Sequence, residues 1–249
     1  MNRKNILITG ASSGLGAQMA RDFAAKGHHL ALCARRTDRL DDLRAELVER
    51  HPAARIAVRT LDVTDTGAVF DVFRSCRDEL GTLDRVIVNA GTGDSRRLGT
   101  GHAEANLRAA RTNFVGALAQ CEAAMEIFRA RNAGHLVLIA SMSALRGLPG
   151  NLTVYAASKA GLATLGEGLR AELLHSPIKV STIFPGYIRS ELNESSRRTP
   201  LIVSTEVGVA AMVAAIDRER PTARVPAWPW APLGVLMKVL PLRAVRKLA

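Results

Sequence analysis

The sequence has few aromatic residues, no long apolar run and little acidic charge. Aromatic side chains make up 4% of the 249 residues, against 47% for all hydrophobic residues, so we expect a core built mainly from Ala, Val, Leu and Ile. No apolar run approaches the roughly 18 residues that a membrane-spanning helix needs. A turn at Thr9-Gly10 interrupts the N-terminal segment too early for a secretory signal. We therefore expect a cytoplasmic protein.

Cysteine is also scarce and does not indicate a disulfide framework. Cys33, Cys76 and Cys121 are far apart and include no C-x-x-C pair, which is typical of reduced, buried thiols in a cytosolic protein. The histidines, among them His135, have no spacing typical of metal ligands, so we interpret them as structural or surface residues. We expect no bound metal.

Acidic residues number 23 against 34 basic ones, which gives a net charge of +11. A nucleic-acid-binding protein can have such a balance. Here the basic residues are dispersed, and no basic block is interleaved with aromatic residues before the C-terminal end. We expect a basic surface that favours anionic ligands, without a nucleic-acid partner.

Short apolar runs alternate with helix-like stretches along the chain. The predicted strands are residues 5–9, 29–34, 55–61, 83–89, 134–141 and 178–184. The first predicted helix follows the first strand and ends at Lys26. Two others cover residues 38–50 and 103–130. A further helix begins at the Thr64-Asp65 cap, and another contains Tyr155 and Lys159. This alternation indicates βαβ units and a right-handed, doubly wound parallel sheet, in one α/β domain spanning residues 1–249.

A glycine-rich turn follows the first predicted strand and precedes a helix. Its residues, Thr9 to Gly16, have the spacing G-x-x-x-G-x-G instead of the common dinucleotide fingerprint G-x-G-x-x-G. Glycine lets a pyrophosphate approach main-chain amides closely, and a helix N-terminus supplies unpaired N–H groups and a positive dipole end. A tight connection would need similar residues, but the position between strand and helix favours phosphate binding.

Tyr155 and Lys159 are four residues apart and therefore lie on the same face of a helix. A nearby ammonium favours the phenolate and should lower the tyrosine pKa from its ordinary value of about 10. A phenol tuned in this way can act as a general acid or base. Because the same spacing occurs by chance in many helices, the rest of the sequence has to decide.

Four motifs together resemble the short-chain dehydrogenase/reductase family. They are the Thr9 to Gly16 turn, Asn89-Ala90-Gly91 after the fourth strand, Tyr155-x-x-x-Lys159, and Pro185-Gly186 after the sixth strand. They occur in the family's order and cover about residues 4 to 190. The resemblance implies a Rossmann-type, doubly wound parallel sheet of about seven strands flanked by helices, and an NAD(P)-dependent oxidoreductase.

The resemblance also implies which residues bind the cofactor. Asp62-Val63 resembles the adenine-binding pair, Asn89 to Gly91 would lie beneath the ribose, and Ile188 resembles the residue whose backbone meets the nicotinamide carboxamide. The full predicted set is Gly10, Ser12, Ser13, Gly14, Leu15, Gly16, Arg35, Arg36, Asp62, Val63, Asn89, Ala90, Gly91, Tyr155, Lys159, Pro185, Gly186 and Ile188.

The end of the second strand bears on the choice between NAD and NADP. An NAD-selective protein normally presents an acid there to the ribose hydroxyls, whereas this chain has Ala34-Arg35-Arg36-Thr37. A guanidinium matches a 2′-phosphate bidentately. We therefore predict NADP(H), with Arg35 as the first candidate contact and Arg36 as the second. Two solvated arginines at a strand end remain the alternative.

The resemblance implies four catalytic residues. Tyr155 would exchange a proton with the substrate oxygen, Lys159 would lower the Tyr155 pKa and bind the nicotinamide ribose, and Asn113 would support a water in a proton relay. A serine after the fifth strand would stabilise the reacting oxygen. Ser141 and Ser143 lie 14 and 12 residues before Tyr155; we choose Ser141, and Ser143 remains the alternative.

The region around the substrate is less informative. Residues 190–200 are polar and resemble the family's mobile lid, and residues 92–101 are expected to form another wall. The tail, residues 226–249, combines Trp228, Trp230 and an apolar cluster with Lys238, Arg243, Arg246 and Lys247, and is broken by Pro232 and Pro241. It either packs on the domain or a partner subunit, or lies at a membrane interface or over a hydrophobic substrate.

Three functions follow as candidates. The first is an NADPH-dependent reductase of a small carbonyl substrate. A tail that lies at a membrane interface or over the substrate would favour a lipophilic substrate. The second is an alcohol dehydrogenase that uses the same residues in the oxidative direction. The third is a non-catalytic NADP(H)-binding or membrane-surface protein with the same fold. In each case we expect a homodimer or homotetramer, located in the cytoplasm or peripherally at a membrane through the tail.

Overall fold

Seven parallel strands form one sheet in the order β3-β2-β1-β4-β5-β6-β7. The computed structural model describes residues 3–191 and 201–248, with side chains up to residue 246. Residues 192–200 of the predicted lid and the Lys247 side chain therefore lie outside the described residues. The strands are β1 Asn5–Thr9, β2 His29–Ala34, β3 Ile56–Thr60, β4 Arg85–Val88, β5 His135–Ile139, β6 Lys179–Pro185 and β7 Thr222–Val225. The predicted doubly wound parallel sheet is confirmed.

Helices cover both faces of this sheet. They are α1 Gly14–Ala25, α2 Thr37–Arg50, α3 Thr66–Leu80, α4 Ala103–Ala110, α5 Gly116–Arg131, α6 Leu152–Glu172, α7 Thr205–Asp217, α8 Ala227–Val239 and α9 Leu242–Leu248. Within the described residues no helix is long and apolar enough to cross a bilayer.

The core consists of two apolar layers, one on each face of the sheet. Ile6 and Ile8 of β1 pack with helices α1, α2 and α7, whereas Leu7 between them packs with α3, α5 and α6. Side chains along a strand alternate between the two faces, so an unbroken apolar strand is needed where both faces are covered. The three cysteines are buried and free.

The helix predicted for residues 103–130 is interrupted. Helix α4 ends at Ala110, a π-helical turn covers Arg111–Val115, and α5 begins at Gly116. A Cβ on Gly116 would lie 2.6 Å from the Val63 carbonyl oxygen, so α5 approaches the loop after β3 as closely as only glycine allows. π-Helical turns occur frequently at functional sites, and this one contains Asn113, which is fully buried.

The tail packs against the sheet edge through one side of α8. Trp230 is buried, and a Cβ on Gly234 would lie 2.9 Å from Arg224 Nε. Arg146 donates from Nη1 to the Lys238 carbonyl at 3.2 Å and from Nη2 to the Leu240 carbonyl at 3.0 Å. Helix α9 follows the predicted break at Pro241, whereas Pro232, also predicted to break the helix, lies inside α8.

Candidate active site

A cleft of about 710 Å³ opens at the carboxyl ends of β1, β4, β5 and β6. It lies where the strand order reverses between β1 and β4, which is where open α/β sheets bind ligands. All the residues predicted to bind the cofactor line this cleft, as do Ser141 and Ser143. Asn113 is the predicted site residue that does not line it.

The glycine-rich turn after β1 is held by Asn89. The Asn89 Nδ2 donates to the Thr9 carbonyl at 2.9 Å and to the Gly10 carbonyl at 3.3 Å. Gly10 has φ +64°, and a Cβ there would lie 2.9 Å from Ala90 Cα. A Cβ on Gly16 would meet the Gly10 carbonyl oxygen at 2.3 Å. These glycines are therefore required by the packing of the turn against the end of β4.

The N-terminus of α1 faces this turn without a side-chain cap. Ser13 is the N-cap residue, and its side chain makes no capping hydrogen bond. The first amides of a helix have no intrahelical acceptor, and together with the helix dipole they favour an anion. A phosphate group fits the residues present here.

Arg36, more than Arg35, is directed to the turn. Its Nη2 lies 2.5 Å from Ser13 Oγ and its Nε lies 3.2 Å from Ser12 Oγ. The Arg35 side chain is 76% exposed, and its Nη1 lies 3.7 Å from a carboxylate oxygen of Asp62. This geometry favours Arg36 as the arginine nearest a phosphate on the turn, the reverse of the order expected from the sequence.

Helix α6 brings Tyr155 and Lys159 to the end of β5. Lys159 is buried, and its Nζ donates to the Ile139 carbonyl at 2.9 Å. Tyr155 and Ser141 both line the cleft, and the Ser141 side chain acts to lower the pKa of the Tyr155 phenol. The Ser141 Oγ also accepts from the Ser143 amide at 3.1 Å. Of the two candidate serines, Ser141 is the one that this geometry favours.

Burial controls the ionisation of both groups. It raises the pKa of Tyr155; the Ser141 side chain acts in the opposite direction, and the neighbouring Tyr187 phenol adds to the rise. Burial lowers the pKa of Lys159 to about 8. The lowered Tyr155 pKa predicted from the Tyr–Lys spacing is therefore wrong for this structure, because desolvation of the phenolate dominates and the ammonium of Lys159 is directed to a backbone carbonyl.

Asn113 supports the loop after β4 from behind the cleft. Its Oδ1 accepts from the Thr92 amide at 2.8 Å and its Nδ2 donates to the Thr92 carbonyl at 2.9 Å. A Cβ on Gly91 would lie 3.1 Å from Asn113 Oδ1 and 3.3 Å from Lys159 Nζ. Glycine at position 91 therefore leaves room for both the carboxamide and the ammonium, and the π-helical turn brings the carboxamide to this position.

The wall after β6 contains Tyr187, which the sequence analysis did not single out. Tyr187 lines the cleft, and its ring lies 5.4 Å from that of Trp230 in an edge-to-face arrangement. A Cβ on Gly186 would lie 2.1 Å from the Trp230 ring. Tyr187 directly follows the recognised Pro185-Gly186 pair, but no local pattern indicated that Trp230 would pack on it. Of the predicted lid, Ser190 and Glu191 line the cleft.

Comparisons with known proteins agree with this geometry. The family model described as short chain dehydrogenase matches residues 4–201. A protein of Mycobacterium tuberculosis (strain H37Rv), named as an uncharacterized oxidoreductase, is 55% identical over 249 residues, which cover 100% of this chain and 98% of the relative.

Two solved structures are also similar. A short-chain dehydrogenase from Sphingobium yanoikuyae in complex with NADPH has a TM-score of 0.83 and 30% identity, over 93% of this chain and 91% of the other. The bulky-bulky ketone specific alcohol dehydrogenase from Comamonas testosteroni has a TM-score of 0.80 and 29% identity, over 97% of this chain and 96% of the other.

Proposed function

This chain belongs to the short-chain dehydrogenase/reductase family, and we propose that it is an NADP(H)-dependent oxidoreductase that transfers a hydride between the nicotinamide and a lipophilic carbonyl or alcohol substrate. As a family member it is an NAD(P)-dependent dehydrogenase or reductase. In the proposed reaction Tyr155 is the general acid or base.

One observation carries the proposal: Ser141 and Tyr155 line the same cleft at the end of β5, and Lys159 follows one helical turn further along α6. A serine and a tyrosine held together at a ligand cleft supply two hydrogen-bond donors that can converge on one oxygen atom. Donors fixed before the reaction stabilise charge that develops on that oxygen.

The protonation states of Tyr155 and Lys159 at neutral pH suit reduction of a carbonyl substrate. When bound, the cofactor supplies the hydride. Because burial raises the Tyr155 pKa, the phenol is protonated at neutral pH and can donate its proton to the carbonyl oxygen. Ser141 orients the phenol and donates to the same oxygen. Lys159, with a pKa of about 8, is cationic at neutral pH and adjoins Gly91, where it would bind the cofactor ribose.

Preference for NADP(H) is supported by the charges around the turn. The described residues at the end of β2 include no acid between Ala34 and Thr37, and Arg36 contacts both serines of the turn. A guanidinium there would attract a 2′-phosphate. The relative from Sphingobium yanoikuyae, at 30% identity, is named as a complex with NADPH.

A lipophilic substrate is supported by the cleft wall. Leu152 of α6 and the ring of Tyr187 line the cleft together with Tyr155, so part of the cleft wall is apolar. The relative from Comamonas testosteroni is named for its action on bulky-bulky ketones. We propose ketones and secondary alcohols with apolar substituents as the substrate class.

The test is a comparison of Tyr155→Phe with the unchanged protein on a panel of ketones and alcohols with both cofactors. The variant should bind NADPH with unchanged affinity, measured by titration of nucleotide fluorescence, and lose about a hundredfold to ten-thousandfold in turnover. Ser143→Ala is the matched control and should retain most of the activity. Turnover by Tyr155→Phe within tenfold of the unchanged protein would contradict the role of the phenol.

The exposed apolar surface of the tail favours a second candidate, a non-catalytic NADP(H)-binding protein at a membrane surface. Val239 is 74% exposed and Leu242 is 68% exposed, as expected of an interaction surface. Tight NADPH binding without turnover of any compound in the panel would favour this function over the first.

A further inference from the structure

The tail carries a group of large apolar side chains on its outer surface. The exposed fractions are 58% for Val235, 47% for Leu236, 74% for Val239 and 68% for Leu242. The three residues of α8 are one, three and four positions apart and therefore share a face of the helix, and Leu242 follows at the start of α9. These four residues are named here the tail face.

The exposure of the tail face does not arise from a loosely placed segment. The opposite side of α8 is anchored by Trp230, which is 4% exposed, and α9 is anchored by Val245, which is 3% exposed. The Arg146 guanidinium holds the junction by donating to the Lys238 and Leu240 carbonyls. The domain packs against one side of the tail and leaves an apolar side outside.

Cations surround the tail face, and acids are missing from this part of the chain. Lys238, Arg243 and Arg246 are exposed. Among the described residues, no carboxylate forms a salt bridge with any of these three cations. Glu219 is the last acidic residue of the sequence, so residues 220–249 contain six basic residues and no acid. The six are Arg220, Arg224, Lys238, Arg243, Arg246 and Lys247.

We propose that the tail face docks on the surface of an anionic lipid bilayer. Apolar side chains would enter the boundary of the acyl chains while Lys238, Arg243 and Arg246 contact headgroup phosphates. A second copy of the chain is a poorer occupant: a twofold contact pairs a surface with itself, and here it would bring together two copies of a segment that has six basic residues and no acid.

Docking would bring the cleft close to the bilayer. The helix that carries the tail face also packs through Trp230 on Gly186 and Tyr187 of the cleft wall. Val235 and Val239 follow Trp230 on the same helix by five and nine residues, which is about 8 and 14 Å along the helix axis. A lipophilic substrate dissolved in the bilayer would need only a short path to such a cleft. The lipid contact itself does not depend on hydride transfer.

The test is cosedimentation of the full chain with vesicles of phosphatidylcholine alone and of phosphatidylcholine mixed with phosphatidylglycerol. Binding should occur to the anionic vesicles and weaken as salt is raised. A Lys238→Gln, Arg243→Gln, Arg246→Gln variant should bind about a hundredfold more weakly, since each cation near an anionic surface contributes about a fivefold factor. Arg44→Gln, Arg111→Gln, Lys179→Gln is the control with equal loss of charge.

The apolar contribution is tested in the same way. Val235→Ser, Val239→Ser, Leu242→Ser should lose at least tenfold in vesicle affinity, whereas Val48→Ser, Leu174→Ser, Val207→Ser, a control set of exposed apolar residues elsewhere, should lose little. Circular dichroism checks folding, and Val239→Ser against Leu174→Ser, at 74% and 73% exposure, provides a milder pair. Tyr155→Phe should bind vesicles as the unchanged protein does.

Three results would overturn the proposal. One is equal sedimentation with neutral and anionic vesicles. Another is an equal loss of binding in the tail variants and their controls. The third result would show that a second copy of the chain covers the tail face. In analytical ultracentrifugation without vesicles, the unchanged chain would then be an oligomer, and the Val235→Ser, Val239→Ser, Leu242→Ser variant would be a monomer.

Discussion

Arg36 Nη1 lies 3.1 Å from Glu191 Oε2, which joins the end of β2 to the segment after β6. Arg39 also pairs with Glu191 through Oε1. Hydrogen bonds from Arg39 and Arg36 lower the pKa of Glu191, so the carboxylate is charged at neutral pH. A single acid thus holds two arginines beside the glycine-rich turn, and the 2′-phosphate of the proposed cofactor would have to compete with it for Arg36.

Replacing Arg36 should weaken NADPH binding selectively. Arg36→Gln removes a charge-assisted contact worth about 1.5–3 kcal/mol, so the NADPH dissociation constant should rise by roughly tenfold to a hundredfold while that of NADH changes little. Isothermal titration with both nucleotides measures the two effects. Arg35→Gln is the control and should have a smaller effect on NADPH. A larger effect of Arg35→Gln would restore the order expected from the sequence.

Replacing Glu191 should have the opposite effect. Glu191→Gln removes the carboxylate that competes for Arg36, so NADPH should bind a few-fold more tightly with NADH unchanged. The same titration at low ionic strength gives the largest difference, because these side chains are partly exposed and salt screens them. Weaker NADPH binding by Glu191→Gln would mean that the carboxylate supports the site instead of competing with its ligand.

The sequence was sufficient for features that depend on neighbours along the chain. Strands β1 and β2 end where predicted because apolar runs stop at a glycine turn and at paired arginines. Asp65 caps α3 by accepting from the Ala68 amide at 3.0 Å, as expected of an acid before a helix. Tyr155 and Lys159 likewise share one face of α6, because residues four positions apart do so in any α-helix.

Features that depend on tertiary contacts were not predictable in this way. Strand β7 was not placed, because four residues with a partly exposed pattern carry almost no periodic signal. The π-helical turn around Asn113 has no local marker. The direction of the Tyr155 pKa shift depends on how deeply the phenol is buried, which the spacing to Lys159 does not determine.

The lowered pKa of Lys159 predicts a pH dependence for the reductive reaction. Below about pH 8 the group is cationic, and above it the group becomes neutral. The value of kcat/KM for NADPH, which reflects ionisations of the free protein, should therefore be level at neutral pH and fall as the pH rises through about 8. Lys159→Met should be much less active and lack this fall, whereas Lys179→Met should retain it. A profile that stays level to pH 10 would contradict the role of the ammonium.

His135 predicts a loss of stability in mild acid. Its Nδ1 accepts from Arg85 Nε at 2.9 Å, so the proton resides on Nε2, which donates to Ser181 Oγ at 2.8 Å. Burial lowers the pKa of His135 well below its ordinary value, and the charges of Arg85 and Arg3 add to this. The neutral ring is therefore the folded form, although Glu219 lies 3.9 Å from Nδ1.

The protein loses stability in acid because the unfolded chain binds a proton at His135 more readily than the folded protein does. His135 titrates near pH 6.5 in the unfolded chain and well below that pH in the folded protein. The contribution of the neutral ring to the free energy of unfolding is therefore complete above about pH 6.5. It is lost as the pH falls, by at most about 1.4 kcal/mol per pH unit. His135→Gln should be less stable at pH 7.5 by about 1–3 kcal/mol, because Arg85 and Ser181 lose a partner. Urea unfolding between pH 7.5 and pH 5 should show a shallower pH slope for this variant than for the unchanged chain. His175→Gln, at an exposed position, should keep the full slope, and equal slopes for the two variants would exclude His135 as its source.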